Sequence, residues 1–240
     1  MTTPVYAALA SIPSRKRTLK KVVDSLIDQV DMVYIYLNGY ERVPSWIKKS
    51  DKITHVKSSE HGDRGDAGKF FWCEEVDGVF FTCDDDIIYP ENYVSNALRE
   101  LSRIKNRAVL SHHGCTLARG ASHYHRDKKL YPLRSKQNKA RPVHVGGTGC
   151  MVFHTDLMRP LRDWFKLTNM ADIWIGLKCQ ELRIPIIMIP HDGAEFKILT
   201  PPFTIYDATA HGDGTELDRS AESDKIVKSI TWRLYPIVGR

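Results

Sequence analysis

Three adjacent carboxylates, Asp84, Asp85 and Asp86, close the run Val79-Phe80-Phe81-Thr82-Cys83 and precede Ile87-Ile88-Tyr89-Pro90. Like charges crowded at the end of an apolar segment repel one another, and such crowding persists only where a cation or hydrogen-bond donors offset it. A hard divalent ion, Mn2+ or Mg2+, held by one or two carboxylates plus substrate phosphates is the natural partner. A solvated acidic turn in which an Asp caps the following element is the alternative reading of the same residues.

Other residues carry chemistry less directly. The segment Gly146-Gly147-Thr148-Gly149-Cys150-Met151 lets a backbone approach a ligand closely, or marks a bulged strand or tight turn. Asp172, in Met170-Ala171-Asp172-Ile173-Trp174, is placed to cap a helix beginning at Ile173. Gly68-Lys69 does not form a Walker loop, because Asp63 stands where the first glycine is needed and Phe70 where Ser or Thr is required.

These residues need a frame. Residues 5–10 form an apolar, strand-like run broken at Pro13, and Leu19, Val22, Val23, Leu26 and Ile27 then recur at helical spacing with lysines on the other face. Strand patterns follow at 32–37, stopped by Asn38-Gly39, and at 53–56. A Gly-rich turn at 62–68, a short helix near 69–75 and a strand at 79–83 come next, then a helix over 91–105 and a strand at 108–110. Such alternation predicts an α/β domain with a mainly parallel central sheet flanked by helices, binding ligands beyond the strand C-termini. From 112 to 142 the pattern lapses into a basic, polar stretch that reads as a long loop, and loops of that length in a compact domain are lids or disordered. Order returns at 143–153, with helices predicted over 156–165, 172–182 and 218–234 and a strand at 184–189.

A chain of 240 residues, 42% hydrophobic, is sized for a single domain. The net charge of +6 is concentrated: residues 112–144 hold eight Arg or Lys against one acid, Asp127. Charge so confined does not describe a nucleic-acid-coated surface. The five cysteines are scattered without metal-site spacing and read as reduced thiols of a cytoplasmic protein. No stretch approaches the ~20 apolar residues of a membrane span, so any membrane contact is expected to be peripheral.

The acidic cluster resembles the Asp-x-Asp motif of GT-A (Rossmann-like) glycosyltransferases, and the likeness extends over most of the chain, implying one such domain over 1–240. Residues 1–110 would form the nucleotide-binding half, and 111–240 the donor-sugar and acceptor half with the basic loop 112–144. The resemblance implies Asp86 as metal ligand and Asp84 as the ribose-side residue or a second ligand, with Asp85 between them. Ala8-Leu9-Ala10-Ser11-Ile12-Pro13-Ser14-Arg15 is similar to the family's first strand and nucleotide loop, implying Ser11, Pro13 and Arg15 as nucleotide contacts. Asn38 falls at a position near the base, Asp66 where an acid contacts the base, and Lys69 where a cation meets the nucleotide. Gly147 and Thr148 would line the donor sugar. Asp172 falls where inverting members place the carboxylate that takes the proton from the acceptor hydroxyl. Many members also supply a late histidine to the metal; His191 and His211 are the candidates, His211 preferred because it lies in a polar, Gly-rich loop.

The implied activity moves a sugar from a nucleoside diphosphate sugar, with a family bias to uridine, to a hydroxyl of a glycan or glycoconjugate, anionic or lipid-linked acceptors included. The interleaving of Tyr124, Tyr131 and histidines with the basic charges suits contact with sugars and phosphate. Nucleotidyl transfer to a sugar phosphate uses similar acids, but its Gly-rich activation loop has no counterpart in Ser11 to Arg15. A basic nucleic-acid-binding module would leave residues 84–86 unexplained.

Overall fold

The computed structural model describes residues 3–199 and 218–236. Strand β1 (Val5–Ser11) leads through a 3-10 turn (Pro13–Arg15) into α1 (Lys16–Leu26), followed by β2 (Met32–Leu37), α2 (Ser45–Lys48), β3 (Ile53–Lys57) and α3 (Ser58–His61). A second 3-10 turn (Gly65–Phe70) precedes β4 (Val79–Cys83), β5 (Ile87–Ile88), α4 (Tyr93–Arg103) and β6 (Val109–Ser111). Next come β7 (Gly114–Leu117), β8 (Lys128–Tyr131), β9 (Arg141–Val143), β10 (Val145–Gly146) and β11 (Cys150–His154). Beyond them lie α5 (Ala171–Glu181), β12 (Ile186–Met188), β13 (Lys197–Ile198) and α6 (Ser220–Ser229).

Eight strands form one sheet in the order β3-β2-β1-β4-β11-β6-β12-β9. The pairs β3–β2, β2–β1, β1–β4 and β6–β12 are parallel, and β4–β11, β11–β6 and β12–β9 are antiparallel. The fold is therefore α/β and Rossmann-like, with a mainly parallel central sheet. Strand β4 is buried along its whole length because both faces of the sheet are covered. Phe81 and Cys83 point toward α1 and α4, whereas Phe80 points toward α5 and the turn around Phe70. Helix α1 turns Leu19, Val22, Val23 and Leu26 onto the first face and leaves its lysines in water. Truncating one such core side chain, as in Leu19→Ala, costs about 2–5 kcal/mol.

Helix α5 is apolar around its circumference because it is covered on two sides. Ala171, Ile175 and Cys179 pack on the central sheet, and Ile173, Trp174 and Leu177 pack on a second cluster that includes Cys115, Leu117, Val145 and, from α6, Ile226 and Val227. That second cluster lies under a small antiparallel sheet ordered β10-β7-β8.

Several expectations change. The basic stretch at 112–144 is not a long loop: β7 pairs with β8 and β10, and β9 joins the central sheet beside β12. These strands, two to four residues long, are too short to show an apolar period, and pairing holds them. No helix covers 156–165, where a turn and a 3-10 segment (Arg162–Trp164) run instead, because Pro160 cannot donate a helical hydrogen bond and disfavours helix in the residue before it. The segment at 69–75 is turns rather than a helix, and the last helix is shorter than expected. All five cysteines are buried free thiols. Among the described residues no helix is long and apolar enough to cross a membrane.

Candidate active site

Because β1 and β4 are parallel neighbours with Leu9 opposite Cys83, the segments after their C-terminal ends emerge side by side. β1 ends at Ser11, the turn after it carries Arg15, and the three aspartates directly follow β4. Arg15 Nη1 lies 2.7 Å from Asp85 Oδ1 and 3.3 Å from Asp86 Oδ2. Lys69, only 3% exposed, donates to Asp84 Oδ1 from the turn beneath. Asp84 is further fixed through its N–H, which donates to Tyr89 Oη at 2.8 Å and to the Gly149 carbonyl at 3.3 Å.

The electrostatics follow from this packing. Burial pushes Asp86 up, and the neighbouring Asp84 charge pushes it further, to about 7, against the pull of Arg15. Burial also works on Asp84, but the Lys69 ammonium outweighs it and holds that carboxyl below the ordinary range. Burial raises Asp85 too, with Arg15 opposing. Two cations therefore do not fully offset three acids, and an added divalent ion would relieve the remaining repulsion. The donor set suits a hard ion: all three aspartates line the cleft, Asp84 and Asp86 being the more exposed and Asp85 buried against Arg15. Among the described residues no three His, Cys, Asp or Glu side chains gather as a metal-holding group, so such an ion would need substrate oxygens to complete its shell.

The cleft over the triad measures about 490 Å³. Its lining includes Ser11, Arg15, Asn38, Asp66 and Lys69, together with Thr148 and Asp172. Asp172 does not cap its helix: the residue at the cap position is Met170, with no side-chain cap. Instead Asp172 Oδ1 accepts the Thr148 N–H at 2.8 Å and the Thr148 hydroxyl at 2.6 Å. The N-terminus of α5 is satisfied from a distance, by Asp66 Oδ2, which accepts the Ala171 N–H at 2.9 Å. Burial raises Asp66 to about 6, although Lys69 pulls the other way, and its Oδ1 is buried with no hydrogen-bond partner among the described residues.

Several expected contacts sit differently. The Asn38 amide is spent on the neighbouring turn, donating to the Gly65 carbonyl at 2.8 Å and accepting the Arg64 N–H at 3.3 Å. Pro13 opens the turn that aims Arg15 and, like Gly147, is not among the residues lining the cleft. A Cβ on Gly147 would overlap the His113 ring, so this glycine makes room for an imidazole rather than for open space. A Cβ on Gly149 would fall 2.0 Å from Asp84 Oδ2. His191 is no ligand candidate in this fold, because it is buried with both ring nitrogens against carbonyls, Nδ1 at 3.0 Å from Ile189 O and Nε2 at 2.9 Å from Leu133 O. His211 lies outside the described residues.

The cleft also holds residues that sequence reasoning left among a general basic stretch or missed. Tyr124, His125 and Lys128 reach it from the β7–β8 connection and β8, and Arg219 and Ser223 from α6 and the residue before it. Behind the 147–149 loop, His113 Nδ1 lies 3.0 Å from Cys150 Sγ. Burial opposes both charges, yet each partner outweighs it for the other: the imidazole rises to about 9 and the thiol falls to about 5. With 37 residues between the partners, no local pattern announces this pair.

No protein-family model and no curated protein matches this chain. Among solved structures it is similar to 4-diphosphocytidyl-2C-methyl-D-erythritol synthase from Anaerococcus prevotii, with 10% identity and a TM-score of 0.48 over 82% of this chain and 93% of that one.

Proposed function

We propose that this chain is a metal-dependent transferase that moves a sugar from a nucleoside diphosphate sugar, with UDP as the expected carrier, to a hydroxyl of a glycan or glycoconjugate. One observation carries the reading: a single cleft is lined both by the acidic triad, with Arg15 and Lys69 against it, and by the Thr148-held Asp172. Asp86 and Asp84 would hold Mn2+ or Mg2+, which when bound supplies charge stabilisation for a leaving diphosphate. Lys69 and Arg15 keep the triad from repelling itself and add positive charge on the diphosphate side. Asp172, with Oδ1 fixed by Thr148, keeps its second oxygen for the acceptor. That oxygen takes the hydroxyl proton as the acceptor oxygen bonds the anomeric carbon, and the electron pair of the broken carbon–oxygen bond leaves on the diphosphate. Attack opposite the leaving group inverts the anomeric centre.

A second reading, nucleotidyl transfer to a sugar phosphate, draws support from the basic side chains Lys128 and Arg219 on the cleft wall, which suit a phosphate-bearing second substrate. Such a reaction has a phosphate nucleophile and needs no general base. One screen separates the two. Nucleotide sugars are tested by thermal shift with and without Mn2+, then assayed for nucleoside diphosphate release, in parallel with nucleoside triphosphates plus sugar phosphates assayed for pyrophosphate. Metal-dependent binding of a nucleotide sugar with diphosphate release supports sugar transfer; pyrophosphate release alone overturns it in favour of the second reading.

A further inference from the structure

Strands β4 and β11 set two cysteines against each other. Cys83 and Cys150 are directly opposite partners in this antiparallel pair, and both belong to the buried cluster on one face of the sheet. The Asp84 N–H donates to the Gly149 carbonyl at 3.3 Å, whereas the Cys150 N–H donates to the Gly147 carbonyl at 3.4 Å and its carbonyl accepts the His112 N–H at 3.3 Å. The two cysteines therefore form a non-hydrogen-bonded pair, the kind whose Cα atoms lie about 4.5 Å apart with side chains close together. A disulfide spans about 4.4–6.8 Å between such atoms, so the backbone here already has a spacing that a disulfide accepts.

The two sulfurs are not equivalent. His113 Nδ1 lies 3.0 Å from Cys150 Sγ, and Ser111 Oγ lies 3.8 Å from it. Against the cost of burial, the imidazole holds the Cys150 thiol down to about 5, which makes it a thiolate at neutral pH. A buried ion pair of this kind gives the core no stability that two apolar side chains would not give. What it does supply is a nucleophilic sulfur with a proton donor beside it. The cleft comes within one residue of Cys83 along the chain, at Asp84, and within two of Cys150, at Thr148.

We propose that Cys83 and Cys150 form a redox modification site, which a peroxide converts into an intramolecular disulfide with Cys150 as the attacking sulfur. The Cys150 sulfur displaces hydroxide from the O–O bond and becomes a sulfenic acid, and the His113 proton turns the hydroxide into water. The Cys83 sulfur then attacks the Cys150 sulfur: the S–S bond forms, the S–O bond breaks, and the hydroxyl leaves as a second water with the Cys83 proton. The two cysteines lose two electrons and the peroxide gains them. The bond ties the residue before Asp84 to the residue after Gly149, whichever group the cleft transfers.

The test treats the folded full-length chain with a dose series of hydrogen peroxide, blocks the remaining thiols by alkylation and maps the peptides by mass spectrometry without reduction. The expected product is a Cys83–Cys150 linked peptide that dithiothreitol separates, with Cys73, Cys115 and Cys179 still reduced. In Cys83→Ser the sulfenic acid has no thiol to meet, so dimedone should label Cys150; in Cys150→Ser it should not label Cys83. His113→Asn should slow linkage by about tenfold or more at pH 7, because an ordinary thiol is only a few per cent ionised there. Thermal unfolding checks that each variant folds, and the peptide map of the native chain needs no variant at all. Recovery of Cys83 and Cys150 unlinked after peroxide, dimedone on Cys83 rather than Cys150, or undiminished linkage in a folded His113→Asn would overturn the proposal.

Discussion

Asp172 and Thr148, 24 residues apart in the chain, are joined by two hydrogen bonds that converge on one carboxylate oxygen, at 2.8 and 2.6 Å. The clasp ties the first turn of α5 to the loop before β11 and fixes a carboxylate that lines the cleft. Asp172→Asn keeps an acceptor for Thr148 but removes the base proposed above, so on that reading turnover should fall by about 10²-fold or more while donor binding survives. Its melting temperature should stay near that of the native chain. Asp172→Ala removes both bonds and should cost about 1–3 kcal/mol, roughly 2–4 °C per kcal/mol in a chain of this size. Steady-state rates and thermal unfolding of the two variants check this, and an Asn variant with undiminished turnover would reduce Asp172 to a positioning role.

Asp86 leads to a pH dependence. If Asp86 holds the metal as proposed, the cation would bind its ionised form, and with the carboxyl held near 7 a proton would leave on binding. Mn2+ affinity should therefore be steady above about pH 8 and fall as pH drops through 7, by up to about tenfold per unit. Asp86→Asn should abolish metal-dependent nucleotide binding, and Asp84→Asn should do less. Calorimetry across pH 6–9 measures the slope, and a flat profile would remove Asp86 from the metal site.

Asp66 has the opposite sign from a stabilising carboxylate. Its folded value of about 6 exceeds the ordinary 3.8, so its contribution is most favourable below about pH 4 and is lost as pH rises through 6, where a buried charge must be kept. Asp66→Asn retains an acceptor for the Ala171 N–H without that charge. The variant should melt a few degrees higher than the native chain at pH 8 and show no gain at pH 4. Equal melting temperatures at both values would mean that Lys69 fully compensates the charge.

His191 is expected to be structural. Replacing it by Gln should lower stability by about 1–3 kcal/mol, through loss of ring packing and of at least one of its two carbonyl contacts. Mn2+ affinity, read by the same calorimetry, should not change; a loss of affinity in a folded variant would contradict its placement.

Much of the frame was legible because it is local. Strands 32–37 and 79–83 are apolar runs ended by polar or turn residues, and α1 shows its buried stripe at helical spacing, so pattern alone locates them. The acidic triad was legible for the same reason, since three adjacent carboxylates after a buried strand pose an electrostatic problem visible in any window. Contacts between distant segments were not. The hairpin of β7 and β8 is short and without a sustained apolar period, and it is held by pairing between its strands and by packing of β7 on α5 and α6.

What the sequence by itself determined, then, was the alternation of strands and helices, the break at Pro13 and the position of the acids along the chain, because apolar period and turn chemistry act within a few residues. The tertiary structure alone decided that Asp66 rather than Asp172 satisfies the start of α5, that Lys69 lies beneath Asp84, and that Lys128 and Arg219 share a cleft with the triad. Each of those relations joins segments far apart in the chain, and their closeness depends on which strands become neighbours in the sheet. That order is set by the summed burial of both sheet faces, a quantity no single stretch of residues contains.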